Sequence, residues 1–161
     1  MESYHKGNAD AKPSVLTYST LLNACAYTRG TSEDRAAAFQ IARSCMKDLL
    51  GGSDNGSGSG ESPNNIVFGT FLLACSNLLP PSPERDRWIA SSFRECIRLG
   101  VVDTKVVLIV RRSASPELVR TLLDGTGLAE RGSSVSFESL PEDWRCNVVR
   151  SHRAPSRRRV G

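Results

Sequence analysis

The chain has 161 residues, 39% hydrophobic and 24% charged, with a formal net charge of +4, the make-up of an ordinary globular protein with one modest core. No apolar run approaches the roughly 18 residues that a membrane span needs, so no membrane partner is expected. The charge is local: Arg145, Arg150, Arg153, Arg157, Arg158 and Arg159 lie in a stretch without acids, leaving 15 basic against 17 acidic residues before it.

Residues 1–12 read as a disordered lead-in, with neither an apolar signal core nor the Arg-rich, acid-poor character of a transit peptide. Either the protein stays where it is made or the chain is a fragment. Pro13-Ser14 opens the first helix, with Ser14 as cap and Val15, Leu16, Tyr18, Leu21, Leu22 and Cys25 at helical spacing. It ends near Tyr27–Gly30. A second helix starts at Ser32, where Glu33 and Asp34 suit the positive helix end. Its expected inner stripe is Ala38, Phe39, Ile41, Ala42, Cys45, Met46 and Leu49. Two helices with a short join make an antiparallel hairpin.

The Gly- and Ser-rich stretch 51–61 is a flexible insertion. It is not a phosphate-binding loop, since no strand precedes it and no Lys-Ser/Thr pair follows. After it, Ile66, Phe68, Phe71, Leu72 and Cys75 mark a third helix that Leu79-Pro80-Pro81 terminates. Ser82-Pro83-Glu84 is a helix start, and Trp88, Ile89, Ser92, Phe93, Cys96 and Ile97 face inward up to Gly100. Asp103-Thr104 caps a segment over 105–112 whose apolar run also fits a buried strand; helix is the better reading, because a lone strand would leave both edges unpaired. Ser115-Pro116-Glu117 opens a short helix ending at Asp124-Gly125. Residues 125–136 read as loop, and Leu140–Arg145 is expected to lay Trp144 and Val148 back over the last helix as a terminal cover.

The chain repeats itself. Tyr18-Ser19-Thr20-Leu21-Leu22-Asn23-Ala24-Cys25 returns as Phe68-Gly69-Thr70-Phe71-Leu72-Leu73-Ala74-Cys75, and Ala42-Arg43-Ser44-Cys45-Met46 matches Phe93-Arg94-Glu95-Cys96-Ile97. Self-similarity at this scale signals stacked supersecondary units, here 13–50, 62–100 and a degenerate 101–124. Four of the five cysteines fall at matched places, Cys25 with Cys75 and Cys45 with Cys96, which marks them as core. No Cys-x-x-Cys pair or neighbouring histidine gives zinc spacing. Free thiols, Cys146 among them, suggest a reducing compartment. His5 and His152 both lie in segments read as disordered, so no general acid/base constellation can be built. The expectation is a binding protein, not an enzyme, with no cofactor, metal or small-molecule substrate.

The units resemble pentatricopeptide repeats, whose extended Pro-Asp/Asn lead precedes Val-Thr-Tyr-Asn-Thr-Leu-Ile. Pro13-Ser14-Val15-Leu16-Thr17-Tyr18-Ser19-Thr20-Leu21-Leu22 and Pro63-Asn64-Asn65-Ile66-Val67-Phe68-Gly69-Thr70-Phe71-Leu72 follow that pattern. Leu140-Pro141-Glu142-Asp143-Trp144 resembles a segment after the last helices of algal members. The resemblance implies an all-α fold of α-α hairpins stacked as a short right-handed, tetratricopeptide-like solenoid.

It also implies single-stranded RNA binding, with one nucleotide per repeat read by side chains of successive first helices. Carried over, the base-reading pair is Ser19 with Asn64, an adenine-preferring combination, and Leu16 and Ile66 stand where bases are wedged. Gly69 occupies the second unit's reading position and has no side chain to hydrogen-bond a base. Tyr27 and Asn77 replace a common phosphate-contacting lysine. The tail arginines Arg150, Arg153, Arg157, Arg158 and Arg159 would add weak, salt-sensitive attraction to phosphates, or simply aid solubility. Family members work mostly in the mitochondrion or chloroplast on transcript processing, stability, editing or translation. The alternative class is a tetratricopeptide-like module binding other proteins, although no Trp-x-x-Leu-Gly series appears.

Overall fold

The computed structural model describes residues 15–51, 63–130 and 134–148. The lead-in, the cap at Ser14, all but the first residue of the insertion 51–61, and the tail 150–161 lie outside the described residues. The described regular elements are all helical: α1 Val15–Ala26, α2 Ser32–Gly51, α3 Asn65–Leu78, α4 Pro83–Leu99, α5 Thr104–Ser113, α6 Pro116–Leu122, a 3-10 turn Phe137–Ser139, and the single turn α7 Glu142–Arg145. No strand occurs among the described residues, and no helix is long and apolar enough to cross a membrane.

Local chemistry sets most boundaries. Asn64, Ser82, Asp103 and Ser115 each accept a hydrogen bond from the backbone N–H three residues on, satisfying one of the orphan donors at the helix start. At the far end of α4, Gly100 adopts a left-handed conformation with φ 71°. Val101 N–H then bonds Cys96 O, and Gly100 N–H bonds Ile97 O, closing the helix with a Schellman pair.

Packing arranges the helices in two layers. α1 lies along α3 and α3 along α5, while α2 packs on α1 and α3, α4 on α3 and α5, and α6 on α4 and α5. The core follows from the matched faces: Phe68, Phe71 and Phe93 are at most 1% exposed, and each buried aromatic of this size contributes about 1.5–3 kcal/mol. Between the second-layer helices, Trp88 meets Phe39 edge-on at 5.4 Å, with Arg43 stacked over its ring at 5.6 Å. The repeat extends to side-chain hydrogen bonds. Thr20 donates to Leu16 O at 2.9 Å and Thr70 to Ile66 O at 2.8 Å.

Three expectations need correction. α2 continues through Gly51, one residue into the presumed insertion. Ile41, placed on the inner stripe, is 47% exposed; it lies on the flank of α2 that nothing among the described residues covers. The terminal cover does not rest on the preceding helix, α6. α7 packs on α4, with Trp144 edge-on to Phe93 at 5.5 Å. Backbone bonds fix it there: Val102 N–H to Trp144 O at 2.7 Å and Asn147 N–H to Gly100 O at 2.8 Å. Gly100 allows the approach, because a Cβ there would sit 2.5 Å from Cys146 Sγ.

Candidate nucleic-acid interface

The first-layer helices share a register that begins at their caps. Asn64 caps α3 and Asp103 caps α5, and the two starts are tied together by Asn65 Nδ2 donating to Asp103 Oδ2 at 2.9 Å. Two residues past each cap a side chain points to solvent: Ile66 on α3, 45% exposed, and Lys105 on α5. On α1 the matching residue is Leu16, 75% exposed. Large aliphatic side chains this exposed serve no core.

Helical periodicity extends the face along each helix at i+3 and i+7. On α1 it continues to half-buried Ser19, exposed Asn23, and then Tyr27, 61% exposed, one turn further. On α3 it runs over Ile66 to half-buried Leu73, and on α5 over Lys105 and Leu108 to exposed Arg112. The face therefore combines apolar side chains that can flank bases, a hydroxyl and an amide that can hydrogen-bond their edges, and cations that can meet phosphates.

Of the residues singled out in the sequence, Leu16, Ser19 and Ile66 lie on this face. Asn64 stands at its border, and its Oδ1 accepts the Val67 N–H at 3.0 Å, so its carbonyl is engaged as a cap and only its amide nitrogen could donate to a base. Gly69, the i+3 position of α3 that matches Ser19, interrupts the row instead of opening onto it. It is buried in the contact between α3 and α5, where the nearest neighbour of an added Cβ would be Val106 Cγ2 at 3.8 Å. The five tail arginines lie outside the described residues. Asn77, at a position where the resembled family carries lysine, donates through Nδ2 to Ala26 O at 2.9 Å and caps the end of α1 from the next helix.

Lys105, Leu108 and Arg112 were not singled out in the sequence. The signal was there: counting from Asp103 as from Asn64 places Lys105 at the Ile66 position. The four buried cysteines belong to the core and not to this face. Burial pushes the Cys75 thiol up to about 12 and the Cys96 thiol higher still. Cys25 and Cys45 are also raised, first by burial, and Cys45 additionally by neighbouring Cys25 and Asp48. Held protonated and out of solvent, these four thiols are poor nucleophiles at neutral pH. Among the described residues no cluster of His, Cys, Asp and Glu could hold a metal ion.

No protein-family model, curated protein or solved structure matches the chain.

Proposed function

We propose that the chain is a single-stranded RNA-binding protein of the pentatricopeptide-repeat type, its hairpins stacked as a short right-handed solenoid and its first-layer helices facing the RNA. The observation that carries this reading is the equivalent placement of Leu16 and Ile66. Each projects into solvent from the first turn of its helix, on neighbouring helices, where a base can insert between them. Ser19 one turn along and the Asn64 amide at the next helix start supply polar groups for a base edge. On this reading the protein serves transcript processing or stability in the mitochondrion or chloroplast.

Titration of fluorescent poly(A), poly(U) and poly(C) of roughly a dozen nucleotides at two salt concentrations tests it. Preference for poly(A) that Ser19→Ala abolishes supports base reading. Equal binding to all three that vanishes with salt sinks it and leaves only charge.

A second reading rests on a different surface. Leu21 and Ile41, 42% and 47% exposed on α1 and α2, favour a protein-interaction module. The position matching Leu21 in the second hairpin, Phe71, is buried under the first. Retention of a protein partner by Ser19→Ala, with loss on Leu21→Ser, would identify that function.

A further inference from the structure

Beside the end of the first-layer face, a cleft of about 900 Å³ lies where the start of α4 meets the junction of α5 and α6. Its floor includes Ala90 and Leu118, and its rim carries the exposed guanidinium groups of Arg87, Arg94 and Arg112. Arg87 and Arg94 are two turns apart on one helix, about 10 Å along its axis; Arg112 lines the cleft from α5. Among the described residues none of the three forms an ion pair.

The other charges of the cleft cancel only part of this excess, since the lining sets four arginines against two carboxylates, Asp86 and Glu117. Arg85 is engaged with main-chain carbonyls and Asp86 accepts the Ser115 N–H at 3.1 Å, so this neighbouring pair is occupied. Glu117 is the remaining lining carboxylate, and Glu84 lines a depression on the other side of Arg87. Three forked donors around an open cleft match a chain of phosphodiesters. A peptide would need a deep apolar or aromatic anchor pocket, and among the described residues the lining holds no aromatic.

We infer that Arg87, Arg94 and Arg112 form a second RNA contact that binds the sugar-phosphate backbone without reading bases. The inference rests on the RNA-binding reading and adds to it, since Arg112 also ends the exposed row of α5 and makes the cleft continuous with the first-layer face. A strand leaving that face would turn at Arg112 and follow α4.

The test uses the full chain, an abasic ribose-phosphate strand and poly(A), both fluorescent, over a range of salt. The triple variant Arg87→Gln, Arg94→Gln, Arg112→Gln is compared with an equally charged control, Arg29→Gln, Arg35→Gln, Arg120→Gln, made at exposed arginines outside the cleft. For single strands the slope of log K against log salt falls by about 0.7 for each phosphate that is no longer neutralised. The cleft variant should therefore bind both strands with a slope shallower by roughly two, and the control should keep the wild-type slope. Equal effects of the two variants, no binding of the abasic strand, or preference for a poly-glutamate peptide over it each overturn the inference. Cleft-dependent abasic binding without any preference for poly(A) would keep the cleft and remove base reading; poly(A) preference without abasic binding would do the reverse.

Discussion

Arg85, in the first turn of α4, donates through Nη2 to the carbonyl of Ser113, the last residue of α5, at 2.7 Å. Its Nη1 reaches Ser76 O and Leu79 O at the end of α3, both at 3.3 Å. One guanidinium thus satisfies orphan carbonyls of two helices and sets its charge against both negative helix ends. Arg85→Met should lose about 2–3 kcal/mol in urea denaturation, the scale for charge-assisted bonds with buried partners left unpaired. Arg85→Lys should recover less than half, because a point charge cannot serve two directions. A loss for Arg85→Met within experimental error of zero would show that water replaces it.

Asn64 caps α3 and, on the proposed function, offers its amide to a base; a single substitution can separate the two. Asp caps as well as Asn but has no amide donor. Asn64→Asp should keep the thermal midpoint and lose any preference for poly(A), whereas Asn64→Ala should also lose about 1 kcal/mol of stability. Unchanged poly(A) preference in the Asp variant would exclude the amide as a base reader.

The thiols give a test of burial. At neutral pH an exposed-thiol reagent should label Cys146 at once, and the buried Cys25, Cys45, Cys75 and Cys96 only as the protein opens. Stability should also fall in alkali. The Cys75 thiol is raised by burial from 9.0 to about 12, so between those values the folded state holds a proton that the unfolded state has released, and unfolding becomes easier as pH rises. The steepest loss is about 1.4 kcal/mol per pH unit for each such group. Cys75→Ala should remove its share of this slope and leave that of Cys96; a slope unaltered by the substitution would show that the thiol titrates alike in both states.

Gly69 sits in mid-helix with room beside it. An added methyl would meet only Val106 Cγ2, at an ordinary 3.8 Å. Gly69→Ala should therefore stabilise the fold by about 0.5–1 kcal/mol, the helix-propensity difference, without altering RNA affinity, since the position does not open onto the first-layer face. Destabilisation on denaturant titration would mean that α5 needs the closer approach.

What was readable in the sequence was local or periodic. The caps at Ser82, Asp103 and Ser115, the stop at Gly100 and the burial of four cysteines all follow from neighbours a few residues away or from the repeat. The apolar run Val106–Val110 is ambiguous by pattern alone, yet as a helix it buries Val106, Val107, Ile109 and Val110 and turns out Leu108. The misses were tertiary. Nothing near Trp144 announces that its partner is Phe93, and nothing in the first turn of α4 announces that Arg85 closes α3 and α5. Ile41 has the hydrophobicity of a core residue, and only the absence of a covering helix among the described residues exposes it. The arginine cleft joins residues from α4 and α5 that no sequence window contains.

The central position of α3 has a consequence for how the molecule breathes. Since α3 touches α1, α2, α4 and α5, neither hairpin can peel away without baring its apolar surface, and the two units should open together as one cooperative block. Amide exchange in α3 should then report the free energy of global unfolding, while α7, a single turn held to α4 through Trp144 and the Val102 and Asn147 bonds, should exchange through a cheaper local opening. Repetition in the chain need not mean modular stability: here the two copies share one energetic fate.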